Sequence, residues 1–541
     1  MKVVTGAEMK EVDRYTIEEV GISGLVLMEN AGREVAQAAV ELLDDLKDRM
    51  VIVLAGRGNN GGDGFVVSRL LIEQGFEVKT ILLGKKEDIS GDAKLNLDIL
   101  DKLEAKVWEI SSKEEVLELK LLLDKSDLIV DALLGTGIKG ELRGLYPEVI
   151  TMVNNSPTAV LAVDIPSGVE ADTGKIADIA VRADQTITFA LPKIGTILYP
   201  GADFVGDLQI ADIGIPQMVI AKQEFKVDFI TSEFINKLLP TRAADSHKGS
   251  YGKLLLVAGS TGMTGAAALA TQASLRAGAG LVTLGVPRSL NPILESKLTE
   301  AMTYPLADSK EGILARESVI EIKRLINNRD VLGIGPGLTA NDEIAYIVNH
   351  LLENVNKPIV VDADALNVIY DLNSLKERTA PTVLTPHPGE LSRLINQSIE
   401  GISDNSLEIA KNFASEYNVI LVLKGARTII ATPQGEVYIN STGNSGMATG
   451  GSGDVLTGLI SGLLAQGIDG VDATIIGVYL HGLAADLAAD ELTEYSLLPS
   501  DIIDYLPQAI RAVKSGVGKF VWVFSPHEES KGLVGRVKSE E

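Results

Sequence analysis

The sequence predicts two α/β domains, each built on a parallel β-sheet covered by helices on both faces. Three observations carry this expectation. Short apolar, β-branched runs alternate with helix-period segments along most of the chain, the pattern of sheets buried on both sides. At 541 residues the chain exceeds one ordinary core, so at least two domains are expected. Motifs rich in glycine and carboxylates recur directly after the apolar runs, at the edge where open α/β sheets bind ligands.

In chain order, a helix with Ala31, Val35, Ala38 and Leu42 on one face precedes strands expected at 50–55, 78–83, 128–131, 160–164 and 185–189. Gly214-Ile215-Pro216 closes this unit. A polar stretch at 222–226 then places a domain boundary within 218–232, giving domains at 1–222 and 228–514. The second domain is expected to hold strands at 253–258, 281–284, 331–334, 358–362, 382–384 and 419–423. Residues 515–541 read as a tail; 521–541 are charged, lack periodicity and suggest disorder.

Composition narrows the function. A net charge of −25 and a 45% hydrophobic content describe an acidic globular protein. Such a surface argues against nucleic acid or an anionic membrane as the main partner, leaving room for a local basic pocket. The absence of cysteine excludes disulfides, thiolate catalysis and cysteine-ligated metals. Residues 1–14 lack the apolar segment of a signal peptide, and no apolar run reads as long enough to span a bilayer, so a cytoplasmic protein is expected. With five histidines in the chain, catalysis is expected to rest on carboxylates, lysines and backbone. Self-association into a homo-oligomer is expected for a parallel-sheet protein of this size.

The run Thr442 to Asp454, TGNSGMATGGSGD, leads into an apolar helical segment. Glycines admit close backbone approach, and the following helix start adds positive partial charge. Asp454 is thereby placed as a base beside an anion site, a layout for phosphoryl transfer. In the first half, Asn59, Asn60, Gly61, Gly62, Asp63 and Gly64 follow a strand, as a ligand loop or a tight turn. Asp131 precedes Gly135, Thr136, Gly137, Ile138, Lys139 and Gly140, and Asp164 precedes Ser167. Asn60, Asp131, Asp164 and Ser167 would meet at one sheet edge, an oxygen-rich array suited to a hard cation and a phosphate-bearing ligand. In the second half, strand ends carry Gly335-Pro336-Gly337, Val361 to Asn367, Thr385 to Glu390 and Lys424 to Thr428. His387, flanked by prolines, is read as functional; Lys424 beside Gly425 is read as a phosphate contact.

Together these motifs resemble the family of bifunctional NAD(P)H-hydrate repair enzymes. MENAG (28–32), NNGGDG (59–64), GTGIKG (135–140) and DIPSG (164–168) are similar to the epimerase domain. DSHKGSYG (245–252), TPHPGE (385–390), KGART (424–428) and GGSGD (450–454) are similar to the ADP-dependent dehydratase domain. The resemblance covers about residues 5–512. It implies an N-terminal Rossmann-like three-layer αβα domain and a C-terminal ribokinase-like αβα domain. It implies that the second domain dehydrates the S epimer of NADHX or NADPHX at the expense of ADP, with Asp454 as base. Ala266, Gly337 and His387 would contact the hydrate. Lys424, Gly425, Ala426, Arg427, Thr428, Asn444, Gly450, Gly451, Ser452 and Gly453 would hold ADP, with Mg2+ near Glu390. The first domain would interconvert R and S epimers, with Asn60, Asp131 and Ser167 holding K+. Asn59 to Asp63, Gly135 to Glu141 and Asp164 would contact the hydrate, Asp164 being the acid-base candidate.

Two rival readings are weighed. Kinases of the ribokinase-like type usually carry Thr-Pro-Asn-x-x-Glu where this chain has Thr385-Pro386-His387-Pro388-Gly389-Glu390, so a small-molecule kinase fused to a nucleotide-binding domain is the alternative. A non-catalytic nucleotide sensor or RNA-binding scaffold is disfavoured by the acidic surface and the Asp454 loop.

Overall fold

The computed structural model describes residues 1–44 and 48–515; of the expected tail, Ser515 ends a helix and 516–541 lie outside the described residues. Two compact units divide between Phe225 and Lys226.

The first unit holds strands β1 (Met50–Ala55), β2 (Glu77–Leu83), β3 (Val107–Ile110), β4 (Leu128–Ala132), β5 (Ala159–Val163), β6 (Gln185–Phe189) and β7 (Asp207–Ala211). They form a sheet in the order β3-β2-β1-β4-β5-β6-β7, parallel throughout. Alternate residues feed opposite faces. Val51 and Val53 join the core beneath helices Gly6–Tyr15, Gly24–Leu42 and Asn59–Glu73. Ile52 and Leu54 join the core with Val116, Leu119, Val149 and Val153 of helices Lys113–Leu123 and Tyr146–Asn154. The result is three layers, as expected. Ala31, Val35 and Ala38 are buried, but Leu42 is 40% exposed at the helix end, where the last turn runs past the sheet.

In the second unit the strands are β8 (Val227–Phe229), β9 (Lys253–Val257), β10 (Leu281–Pro287), β11 (Met302–Leu306), β12 (Val331–Ile334), β13 (Ile359–Val361), β14 (Thr382–Leu384), β15 (Ile420–Leu423), β16 (Ile429–Ala431) and β17 (Val437–Ile439). Their order is β8-β17-β16-β15-β14-β13-β12-β9-β10-β11. Pairing is parallel except at β16, which runs antiparallel to both neighbours. Expectation missed β3, β7, β8, β11, β16 and β17. All are short strands, and polar residues interrupt several of them, such as Glu109 in β3 and Gln209 in β7.

Helices Thr264–Arg276 and Ser452–Ala465 cover one face of this sheet and touch closely. A Cβ at Gly458 would lie 2.1 Å from Ala270 O, so the contact requires glycine and fixes the helix that presents Asp454. Helix Gly470–Leu492 corrects one expectation. It is long and apolar enough to cross a membrane by length and composition, but 78% of its most apolar window is buried inside the protein. Its alanines and glycines, spread among larger apolar residues, make it a core helix rather than an evident apolar run.

Candidate functional site

In the first unit, chemistry gathers beyond the carboxyl ends of β1, β4, β5 and β6. The expected loop at Asn59 is instead the first turn of helix Asn59–Glu73, capped by Gly58. Asn60, Gly61, Gly62 and Asp63 are consequently buried helix residues, because the helix starts directly against the strand end and its small residues admit neighbouring elements. Asp164, one residue past β5, is held at φ +64°, a conformation rare for a residue with a Cβ and concentrated at functional sites. Its Oδ1 accepts from the Lys193 ammonium, from the Phe189 N–H at 3.1 Å and from the Thr188 hydroxyl at 3.2 Å. Lys193 is fully buried and donates also to Phe189 O at 3.1 Å.

Two more carboxylates act on this pair. Burial pushes Asp13 up to about 6, against the pull of Lys193 and with the repulsion of Asp164. Burial, then Asp164 and Asp13, raise Asp63 well above the carboxylate range. One ammonium thus faces three carboxyl groups, of which Asp13 and Asp63 hold their protons to higher pH than free carboxylates do. Sequence reasoning named Asp63 and Asp164 but missed Asp13 and Lys193. Lys193 had one signal: it is the lone charge in the apolar stretch 186–198.

Asn60, Asp131 and Ser167 do come together. Ser167 donates through its hydroxyl to Asp131 Oδ1 at 2.6 Å and through its amide to Oδ2 at 2.8 Å. Leu134 bridges the others: its amide donates to Ser167 Oγ at 2.9 Å, and its carbonyl accepts from Asn60 Nδ2 at 3.1 Å. Burial pushes Asp131 up to about 6, against its hydrogen bonds from Ser167 and Leu133. No cation pairs with this carboxylate among the described residues. Gly135 lies against the Asn60 side chain, and Gly140 N–H donates to Glu170 at 2.9 Å. Gly135, Gly137, Ile138, Lys139, Gly140 and Glu141 line a cavity of about 1080 Å³. Asp164 and Lys193 are not in its wall; Leu134 and Gly135 connect it to the Asp131 cluster. Thr136 packs against Gly6 instead.

In the second unit the centre is Asp362, just past β13. It receives Lys424 Nζ at 2.8 Å and the Thr457 hydroxyl at 2.7 Å. Burial alone would raise its pKa, but Lys424 and these hydrogen bonds hold the carboxyl below its usual range. Lys424 also lies 3.7 Å from Glu390. Burial opposes its charge, yet Asp362 and Glu390 raise its pKa. Asp454 stands in the first turn of helix Ser452–Ala465, behind Gly451 at φ +104°. Burial first, then Asp362, push it up to about 7 against Lys424. This gives a base that titrates near neutrality beside a fixed ammonium and a helix N-terminus, a setting for proton removal coupled to phosphoryl transfer.

The other expected residues are held by neighbours of their own. Ala266 and Gly337 adjoin: a Cβ on Gly337 would reach within 3.1 Å of Ala266 Cβ. His387 proves to be the N-cap of helix Pro388–Ile395, accepting from Gly389 and Glu390 amides at 3.0 and 3.3 Å through Nδ1. Its ring is about half exposed, and its other nitrogen, Nε2, lies 3.5 Å from Glu390 Oε1. Lys424 is likewise built into an ion pair rather than standing as a bare point charge. Gly425 and Thr428 close a turn, with Thr428 Oγ1 donating to Gly425 O at 3.0 Å, and Ala426 and Arg427 lie within it. Arg427 donates to Ser441 O at 3.1 Å. Asn444 donates to Asp486 at 2.9 Å and caps the turn after it. Gly450 precedes Gly451, while Ser452 Oγ is 3.4 Å from His481 Nε2. Burial lowers His481 to about 4, so it is neutral behind the loop.

Gly335 makes this arrangement possible. Its φ is +136°, and a Cβ would stand 1.9 Å from Asp362 O. Gly335→Ala is expected to destabilise the second unit by about 1–3 kcal/mol and to displace Asp362. Denaturant unfolding of the variant measures it; an unchanged midpoint would contradict the close approach.

A family model for NAD(P)H-hydrate dehydratase matches residues 254–508, and one for the YjeF-related protein N-terminus matches residues 24–195. A bifunctional NAD(P)H-hydrate repair enzyme of Moorella thermoacetica is 45% identical over 96% of this chain and 99% of its own length. The chain belongs to the bifunctional NAD(P)H-hydrate repair enzyme family. A second repair enzyme, from Thermofilum pendens, is 40% identical over 95% of this chain and 97% of its own. Among solved structures, the ADP/ATP-dependent NAD(P)H-hydrate dehydratase of Bacillus subtilis is 35% identical, covering 53% of this chain and 99% of its own with a TM-score of 0.47. In this repair enzyme the dehydratase-type match falls on the Asp454 unit and the N-terminal match on the Asp164 unit, so each match contains one of the two centres.

Proposed function

We propose that the second unit removes water from the S epimer of hydrated NADH or NADPH at the expense of ADP, and that the first unit interconverts the R and S epimers. The observation that carries the first half is Asp454, a carboxyl raised to about 7 at a helix start. Asp454 takes the proton of the C6 hydroxyl as that oxygen attacks the β-phosphorus of ADP, releasing AMP. Amides of Gly451 to Gly453 hold the migrating phosphoryl group. Phosphate then leaves, pushed by the ring nitrogen, and loss of the neighbouring ring proton restores the double bond. Lys424, through Asp362 and Glu390, is fixed at the phosphate edge. Lys424 to Thr428 and Asn444 to Gly453 take the nucleotide; Ala266, Gly337 and His387 Nε2 take the hydrate.

Among the described residues no group of three or more histidines and carboxylates is placed to hold a metal. This suits Mg2+ arriving on the nucleotide phosphates, with Glu390, a buried carboxylate already facing Lys424 and capped by the His387 amide, as the candidate beside it and charge neutralisation as its chemistry. In the first unit the oxygens of Asn60, Asp131, Ser167 and Leu134 would suit K+, because Asp131 is a buried carboxylate with no cationic partner among the described residues. The ion would supply the balancing charge. Asp164 and Lys193 then hold and move the proton during epimerisation, and the 135–141 loop seats the hydrate.

Supplying S-NADHX, ADP and magnesium tests the dehydratase reading. Equal yields of NADH, AMP and inorganic phosphate are expected; a stable phosphorylated alcohol would instead favour the kinase reading. The pH profile follows from Asp454. The ionised form is the base, so dehydration kcat/KM should rise with pH and reach half its plateau near 7. A profile flat between pH 5 and 9 would contradict that role.

A further inference from the structure

We propose that Arg57, Lys85 and Arg143 form a subsite for a ribose-borne phosphate, so that the first unit distinguishes the 2′-phosphorylated dinucleotide NADPHX from NADHX. The proposal rests on reading that unit as the epimerase and deepens it.

The argument begins with the sheet order. Asp164 stands beyond β5, the Asp131 cluster at the end of β4, Arg57 beyond β1, Gly84 and Lys85 beyond β2, and Ser111 beyond β3. In the order β3-β2-β1-β4-β5, the path from Asp164 to Lys85 crosses three strand spacings of about 4.8 Å each. That span suits an extended dinucleotide whose nicotinamide end is held at Asp164. Its other end then falls in the cavity lined by Arg57, Gly84, Lys85, Asp88, Ser111 and Arg143.

Charge at that end runs against the rest of the molecule. In a chain of net charge −25, one cavity gathers Arg57, Lys85, Lys139 and Arg143. The acids facing them are Asp88 and Glu141 in the wall and Glu87 and Asp172 just outside. The pairs are loose and exposed: Arg57 to Asp88 at 3.6 Å, Lys85 to Glu87 at 3.4 Å, Lys139 to Asp172 at 3.3 Å. Pairs of this kind contribute little and exchange readily for a phosphate. Lys86, the neighbouring cation, is engaged elsewhere, with Asp101 at 2.6 Å, and is not in the wall.

Placement of Arg57 is specific. Gly84, at φ +139°, lies under its side chain, and a Cβ there would come 2.8 Å from Arg57 Cδ. The missing side chain lets the guanidinium stem lie across the end of β2. In doubly wound folds this strand end meets the adenosine ribose, where an acid accepts from a 2′-hydroxyl and an arginine donates to a 2′-phosphate. Here Asp88 and Arg57 face each other at that point. A guanidinium and an ammonium released from loose pairs would clasp the phosphate dianion, with Arg143 a further cation of the same wall.

The test uses the full-length protein without ADP, following R/S interconversion by chromatography. In Arg57→Ala/Lys85→Ala, the ratio of kcat/KM for NADPHX to that for NADHX should fall at least about tenfold. Calorimetry with adenosine 2′,5′-bisphosphate should show binding at least about tenfold tighter than 5′-AMP, and the double variant should erase the difference. An unchanged ratio, or equal losses for both substrates, overturns the subsite. If the unmodified protein epimerises neither substrate, the epimerase reading fails. The bisphosphate comparison still decides the subsite: tighter binding that the double variant erases upholds it, and equal binding, or a preference the double variant keeps, overturns it.

Discussion

Asp454→Asn should lower dehydration kcat by about 10²–10⁴-fold, the range for a lost general base, while R/S interconversion by the first unit continues. The same substitution should make the second unit more stable at pH 8. Asp454 has a folded pKa raised above the usual 3.8 to about 7. Its favourable contribution is therefore complete below about 3.8 and is lost as pH rises through 7, where the folded state must hold a disfavoured charge. Asparagine never carries that charge, so the variant's Tm should exceed the parent's at pH 8 and match it near pH 3.5. Loss of activity with an equally lowered Tm at pH 8 would mark Asp454 as structural instead.

Asp164→Asn should abolish epimerisation and, unlike Asp454→Asn, destabilise its unit. Lys193 is fully buried against Asp164; losing the partner of a buried pair costs up to about 3–5 kcal/mol, less whatever the neighbouring carboxyls of Asp13 and Asp63 recover by ionising beside Lys193. Adding Lys193→Met should recover much of that stability without restoring epimerisation. Recovery of both would show that Asp164 serves folding alone. Dehydration of pure S epimer should persist in the single variant if its second unit remains folded, which separates loss of one centre from collapse of the chain.

How far the sequence reached is clearest from particular residues. β1 and β12 were legible to the residue because each is an apolar run, and β6 and β14 because β-branched residues fill most of each. β16 and β17 were not: they are three residues long and form a hairpin against a parallel sheet, where apolar runs say nothing of direction. The Asn59 to Gly64 motif was legible as a site and misread as a loop, since glycines at a helix start that admit close neighbours look like glycines that turn. Asp454 and Asp164 could be found from their position after glycine-rich or strand-end segments. Asp362 lay in a recognised motif without a role, because its partners Lys424 and Thr457 are 62 and 95 residues away. Asp13 was invisible, as nothing local marks an acid on an amphipathic helix as facing another strand end. His387 was visible by its flanking prolines, but only the fold shows that one ring nitrogen is committed to capping a helix.

The central claim is that two centres on one chain act in sequence on the two epimers of one damaged cofactor. The direct measurement gives the full-length protein an epimeric mixture of NADHX with ADP, magnesium and potassium and follows the return of reduced-nicotinamide absorbance. The account predicts conversion of the whole mixture, falling to the S fraction alone in Asp164→Asn. Conversion that stops at the S fraction in the unmodified protein, under conditions where spontaneous epimerisation is slow, would contradict it.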